Sequence, residues 1–198
     1  MANLRKALVA EARNAVETNH ATTIEWVYSE GPDRLENILT PWAKRIVCDC
    51  SAFIVYLFVW LGLKNPDGSV PPYYTGTELS HGQHISVLRA KGKKPFFRVY
   101  AGCTVVYGPG TGEHTAFIVE VRGRDILTVS MGQQGDPSYV WVNPPVGPSY
   151  GLPSDGRMPQ TFLKFNTRAK KRAIQRVAKP STQKERDFVQ NIIKGALA

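Results

Sequence analysis

At 198 residues, with 42% hydrophobic and 21% charged content, the chain has apolar material for one compact domain and too little length for two full ones. Its net charge of +9 is unevenly spread: from Thr167 to Ala198 nine Lys/Arg stand against two acids, a net of +7, so the preceding body is nearly neutral. Three cysteines, an odd number, argue against a disulfide framework and leave at least one thiol free.

The first sixteen residues, MANLRKALVAEARNAV, carry charges throughout and no apolar h-region, so no secretory signal is expected and synthesis starts in a cytoplasm. Leu4, Leu8, Ala12, Ala15 and Val16 recur at helical spacing and predict an amphipathic helix over about residues 2–18. Tyr28–Pro41, rich in Gly, Pro and Asp, reads as an irregular loop with at most one helical turn. A second helix is expected from Asp49 or Cys50 through SAFIVYLFVWLGL, ending at Gly62 before the turn Asn65-Pro66-Asp67-Gly68. Its apolar run, Ala52–Leu63, is twelve residues, too short to span a bilayer and suited to a buried helix.

His81 and His84 fall in the polar stretch TELSHGQHI, read as loop. The runs FFRVYAG, CTVVYG, HTAFIVEVRG and DILTVSMG, β-branched and aromatic and separated by Gly-containing turns, predict consecutive antiparallel strands. Pro144–Pro159 reads as coil and QTFLKF as a last strand. Two further helices, Arg168–Lys179 and Gln183–Leu197, break at Pro180, the second with Phe188, Ile192, Ile193 and Leu197 on one face. There are no repeats. A helix layer followed by a meander is an α+β domain over residues 1–166, with 167–198 as a basic helical C-terminal extension.

Cys48-Asp49-Cys50-Ser51 stands at the entrance to the apolar helix. A thiol in a helix's first turn feels the positive end of the macrodipole, which favours the reactive thiolate. Cys48 and Cys50 point opposite ways along an extended entry, so only one of them occupies the helix start; Cys103, inside a strand-like run, reads as core. His114 follows the turn GPGTGE and opens the strand TAFIVEV, where a base is rigid yet within reach of a neighbouring helix N-terminus. The pair also admits a structural reading, since free cysteines are commonly buried apolar residues.

DCSAF entering an apolar helix, then VVYGPGTGEHTAFIVEV, then ILTVSMGQQGDP, with YSEGPDR and YTGTELSHGQHI between and before them, resembles the NlpC-type cysteine peptidases, most closely the peptidase domain of actinobacteriophage endolysins. The similarity spans about residues 2–142. It implies a papain-like fold of N-terminal helices, the nucleophile helix buried against an antiparallel sheet. It also implies a Cys50 nucleophile, preferred over Cys48 by the Asp-Cys-Ser pattern, with His114 as base and then acid. The Cys50 backbone amide would help hold the oxyanion. Related endolysins read Ser-His-Gly where this chain has Ser130-Met131-Gly132; Met131 cannot orient an imidazole, so Ser130 and Gln133 are the candidates for that role, beside a Cys–His dyad and an inactive copy. Tyr28, Arg34, Asp49, Ser51 and Glu113 are candidate substrate-binding residues, with Asp33 beside them in the early loop.

Other chemistries fit less well. Cys48, Cys50, Cys103, His81 and His84 have zinc-ligand types, but Cys-x-Cys before a long apolar helix is poor spacing for a tetrahedral site. Gly108–Gly112 lacks the Lys-Ser/Thr of a phosphate-binding loop and reads as a hairpin turn presenting His114. The expectation is a monomeric hydrolase without metal or organic cofactor, without membrane insertion, acting on peptidoglycan stem peptides after holin-type release from a host cytoplasm. The basic tail would favour anionic wall polymers or nucleic acid. A binding protein on a peptidase-like scaffold is the competing expectation, as is an amidase or acyltransferase of the same fold.

Overall fold

The computed structural model describes residues 4–17, 24–38, 43–61, 74–85, 99–108, 110–123, 125–132, 135–142 and 159–165. Gln133 and the basic extension 167–198 lie outside the described residues, as does most of Pro144–Pro159.

The amphipathic stripe forms α1, Leu4–Glu17, which buries Ala7, Leu8, Glu11, Ala12 and Ala15 on one face. Two short strands follow, β1 (Glu25–Tyr28) and β2 (Arg45–Cys48), paired in parallel with Tyr28 opposite Cys48. The early loop read from Tyr28 onward therefore begins with a strand end. At four residues apiece, neither strand is long enough to show a period in sequence. Directly after β2, Asp49 caps α2, Cys50–Trp60, whose Ala52 amide donates to the Asp49 side chain at 2.7 Å.

Next come α3, Thr75–His81, and β3, Gln83–Ile85. These correct the loop expectation for His81 and His84: one ends a helix and the other lies in an edge strand. His81 Nδ1 sits 2.9 Å from the Thr77 carbonyl, one helical turn back, which accounts for a polar side chain at that helix end.

The remaining strands are β4 (Thr104–Tyr107), β5 (His114–Arg122), β6 (Asp125–Met131), β7 (Pro137–Val142) and β8 (Pro159–Lys164). All six of β3 to β8 form one antiparallel sheet in the order β3-β8-β4-β5-β6-β7. The expected meander is present in β4-β5-β6, and QTFLKF does enter the sheet, inserted between β3 and β4. Two expectations change. Val99–Gly102, the described part of FFRVYAG, is not a strand: the Cys103 amide bonds the Tyr100 carbonyl at 3.1 Å and closes a turn there. PSYVWV, not read as a strand, is β7; at the sheet edge its leading proline removes no inner ladder bond.

α2 is buried from Cys50 through Phe58 and lies across β5 and β6, where Phe53, Leu57, Phe117, Val119, Leu127, Val129 and Met131 share one core with α1. Alternation along the strands sends Cys103, Val105, Tyr107, Ala116, Ile118, Ile126, Val142 and Phe162 to a second cluster on the other face. The result is an α+β fold with its helices on an antiparallel sheet. Among the described residues no helix is long and apolar enough to cross a membrane.

Candidate active site

Cys50 is the first residue of α2, and Asp49 fixes where that helix starts. One Asp49 oxygen accepts from the Ala52 amide at 2.7 Å and from the Ser51 hydroxyl at 2.8 Å; the other accepts from Arg34 Nη1 at 2.8 Å. Arg34 and Asp49 are each about 15% exposed, so this ion pair is screened less than a surface pair. Ser51 is buried. Of the candidate substrate-binding residues, Arg34, Asp49 and Ser51 are thus joined in one network that ties the turn 31–38 to the helix start.

Tyr28, opposite Cys48 in the parallel pair, brings its hydroxyl to Glu30, to which it donates. Partial burial, then the bond to Glu30, pushes its phenol up. Asp33 accepts from Ser29 in the adjoining turn at 2.5 Å.

The Cys50 thiol is 8% exposed as a residue and lies against the backbone amides of Thr115 and Ser51. Burial pushes it well above the ordinary thiol range, followed by the Asp49 charge; the two amides pull it down, and Glu78 adds a further upward push. Burial first, and the two carboxylates after it, thus oppose the thiolate that a helix N-terminus favours. Cys48 and Cys103 are buried thiols, also raised by desolvation.

His114 opens β5 one residue before Thr115. It pairs with Tyr107, ring centroids 5.9 Å apart, on the face opposite that of Thr115. The turn before it depends on Gly112, at φ +84°, where a Cβ would come 2.7 Å from Val106 Cγ1 and 3.0 Å from Thr75 Cβ. Glu113 is exposed, folds its side chain over Gly108, and donates its amide to the Tyr107 carbonyl.

Ser130 shares the Ala116 face of the sheet, and its hydroxyl donates to the Thr115 carbonyl at 2.7 Å. A hydroxyl has one proton, so toward an imidazole it can act only as acceptor. Met131 is fully buried against the α2 core with Leu127 and Val129, an apolar position in which a histidine would lose its hydration. Gln133 is not among the described residues.

Two groups therefore meet at Thr115: Cys50 with Asp49, Ser51, Arg34 and Tyr28 on one side, His114 with Tyr107 and Ser130 on the other. Three further residues reach the same corner unanticipated. Thr75 donates to the Gly112 carbonyl at 3.1 Å, and Thr115 donates to Glu78 Oε2 at 2.8 Å. The helix starts at the cap Tyr74, whose amide donates to Thr77 Oγ1 at 3.0 Å, which leaves the Thr75 and Glu78 side chains to the β5 hairpin. Among the described residues no three or more His, Cys, Asp or Glu side chains form a metal-binding group, and the five zinc-type residues named above are not gathered.

Compared with protein-family models, curated proteins and solved structures, the chain matches none.

Proposed function

We propose that this chain is a cysteine-dependent peptidoglycan hydrolase of papain-like fold, of the endolysin type, that cuts stem peptides of the bacterial wall. The observation that carries the proposal is the meeting of the Cys50 thiol, at the start of a buried helix, with the backbone of Thr115, the neighbour of His114. The sequence resemblance supplies the substrate class.

In the proposed reaction the Cys50 proton passes to His114 as sulfur attacks the amide carbonyl and the carbonyl π pair moves to oxygen. The Cys50 backbone amide receives that oxyanion. Collapse breaks the C–N bond, and the leaving amine takes the proton from His114. Water, deprotonated by His114, then cleaves the thioester, releasing a carboxylate and restoring the thiol. Because burial raises the thiol, the proposed proton transfer accompanies attack in place of a standing ion pair. His114 lies with Tyr107 on the other side of β5 from Thr115, so the proposed transfer requires its side chain to turn toward the thiol. Tyr28, Arg34 and Glu113 are the proposed substrate contacts, and Ser130 or Gln133 the proposed partner of the base.

Digestion of purified actinobacterial peptidoglycan by wild type and Cys50→Ala, with mass spectrometry of released fragments, tests this. New peptide termini from wild type alone are expected; fragments from neither protein would remove the hydrolase proposal. A second reading, a wall- or nucleic-acid-binding protein on an inactive scaffold, is favoured by the burial of Cys50, which raises its thiol, and by Met131 in the expected histidine position. It expects both proteins to sediment with the polymer and neither to cut it.

A further inference from the structure

Glu78 is a fully buried carboxylate on a short helix, 0% exposed, with no place in the reaction above. Its helix touches the hairpin that carries His114 on both sides of that residue. Before it, Thr75 Oγ1 donates to the Gly112 carbonyl and a Cβ on Gly112 would strike the Thr75 side chain. After it, Thr115 Oγ1 donates to Glu78 Oε2 at 2.8 Å, in preference to the Val105 carbonyl at 3.1 Å. The Thr115 proton can serve only one acceptor, and Val105 already belongs to the β4 ladders with β5 and β8. The shorter, charge-assisted bond to the carboxylate takes it.

We infer that Glu78 is a positioning residue of the proposed site: from α3 it holds the start of β5, and with it His114, against the N-terminus of α2. The inference rests on the Cys50–His114 reading, and Glu78 reaches His114 only through the neighbouring Thr115. Glu78 acts through Thr115 and through its charge. A carboxylate in this corner adds to the burial and the Asp49 charge that disfavour the Cys50 thiolate. The charged and titratable groups around Cys50 are Asp49 at the head of α2 with its partner Arg34, Tyr28 and Cys48 from β1 and β2, and Glu78 from α3, while His114 faces the other side of β5.

The test uses the full chain as wild type, Glu78→Gln and Glu78→Ala. Iodoacetamide labelling of Cys50, quantified on its own peptide across pH, is read beside peptidoglycan cleavage and thermal melting. Gln can donate to the Thr115 hydroxyl, which then serves Val105, so Glu78→Gln keeps the melting temperature near wild type. It moves the Cys50 labelling profile to lower pH by about one unit and lowers cleavage roughly tenfold or more. Glu78→Ala loses the bond as well and melts earlier. A Glu78→Gln protein with unchanged labelling profile and unchanged cleavage overturns the inference. A shifted profile in a protein whose wild type cuts nothing keeps the Glu78 coupling and removes the hydrolase reading; an unshifted profile with cleavage intact does the reverse.

Discussion

Cys50 stands between opposed influences: two backbone amides favour its anion, while burial, Asp49 and Glu78 oppose it. Burial wins, and the sign of a pH effect follows. Cys48 and Cys50 both have native values raised above the ordinary 9.0, and the buried Tyr56 is raised above 10.0. Below pH 9.0 these groups are protonated in native and unfolded chains alike, and their contribution is fully present. As pH climbs past 9.0 the unfolded chain loses protons first and is favoured. Melting temperatures measured from pH 7 to 11 are expected to be level up to about 9 and to fall beyond it; Cys48→Ala should flatten part of that fall. At this same scale Met131→His would place an imidazole among Leu127, Val129 and α2. A loss of about 1–3 kcal/mol in denaturant unfolding is expected, with no restored partner for His114.

At the level of elements, the start of α2 and the start of β5 are each set by one or two residues. Asp49 serves three donors. Asp49→Ala should cost about 1–2 kcal/mol from the cap alone, and more through the unpaired Arg34, whereas Asp49→Asn keeps the cap and loses less. Urea unfolding of the two variants separates these effects. The turn before His114 offers a sharper contrast. Gly112→Ala meets Val106 at 2.7 Å in a left-handed conformation, while Gly110→Ala, at φ +63°, meets nothing within 4 Å. Gly110→Ala should lose only about 1 kcal/mol; Gly112→Ala should lose about 2–4 kcal/mol and displace His114, visible as a collapse of any cleavage activity beyond the stability loss.

For the whole molecule, α2 is the hub. Phe53 is fully buried, edge-on to Trp26 at 5.7 Å and stacked with Tyr56 at 6.2 Å. Phe53→Ala should therefore remove about 3–5 kcal/mol of unfolding free energy in denaturant titration, loosening both the helix layer and the thiol it carries. Arg13 of α1 reaches Glu120 of β5 at 2.9 Å, a partly exposed pair whose loss is expected to matter little. On the proposed function, the basic extension from Thr167 onward holds the protein on anionic wall polymer. Removing it should weaken sedimentation with walls at low salt and make no difference at high salt, where screening already suppresses the attraction.

The amino-acid sequence by itself determined α1, α2 and the β4-β5-β6 meander, because each writes its burial pattern into consecutive residues: a stripe at helical spacing, an apolar run behind an Asp cap, β-branched runs between glycines. It also placed Cys50 at a helix start and His114 at a strand start, since those positions are local. Tertiary structure alone decided the rest. β1 and β2 pair across the loop, β7 gains its identity from the edge it occupies, and β8 inserts beside β4 from far along the chain; none of these is encoded within its own few residues. The rise of the Cys50 thiol comes first from burial, and beyond its neighbour Asp49 from Thr115 and Glu78, which only the fold brings to it. Glu78 was hidden for the same reason: its bond to Thr115 crosses 37 positions of chain, and only the folded sheet puts the two ends in contact.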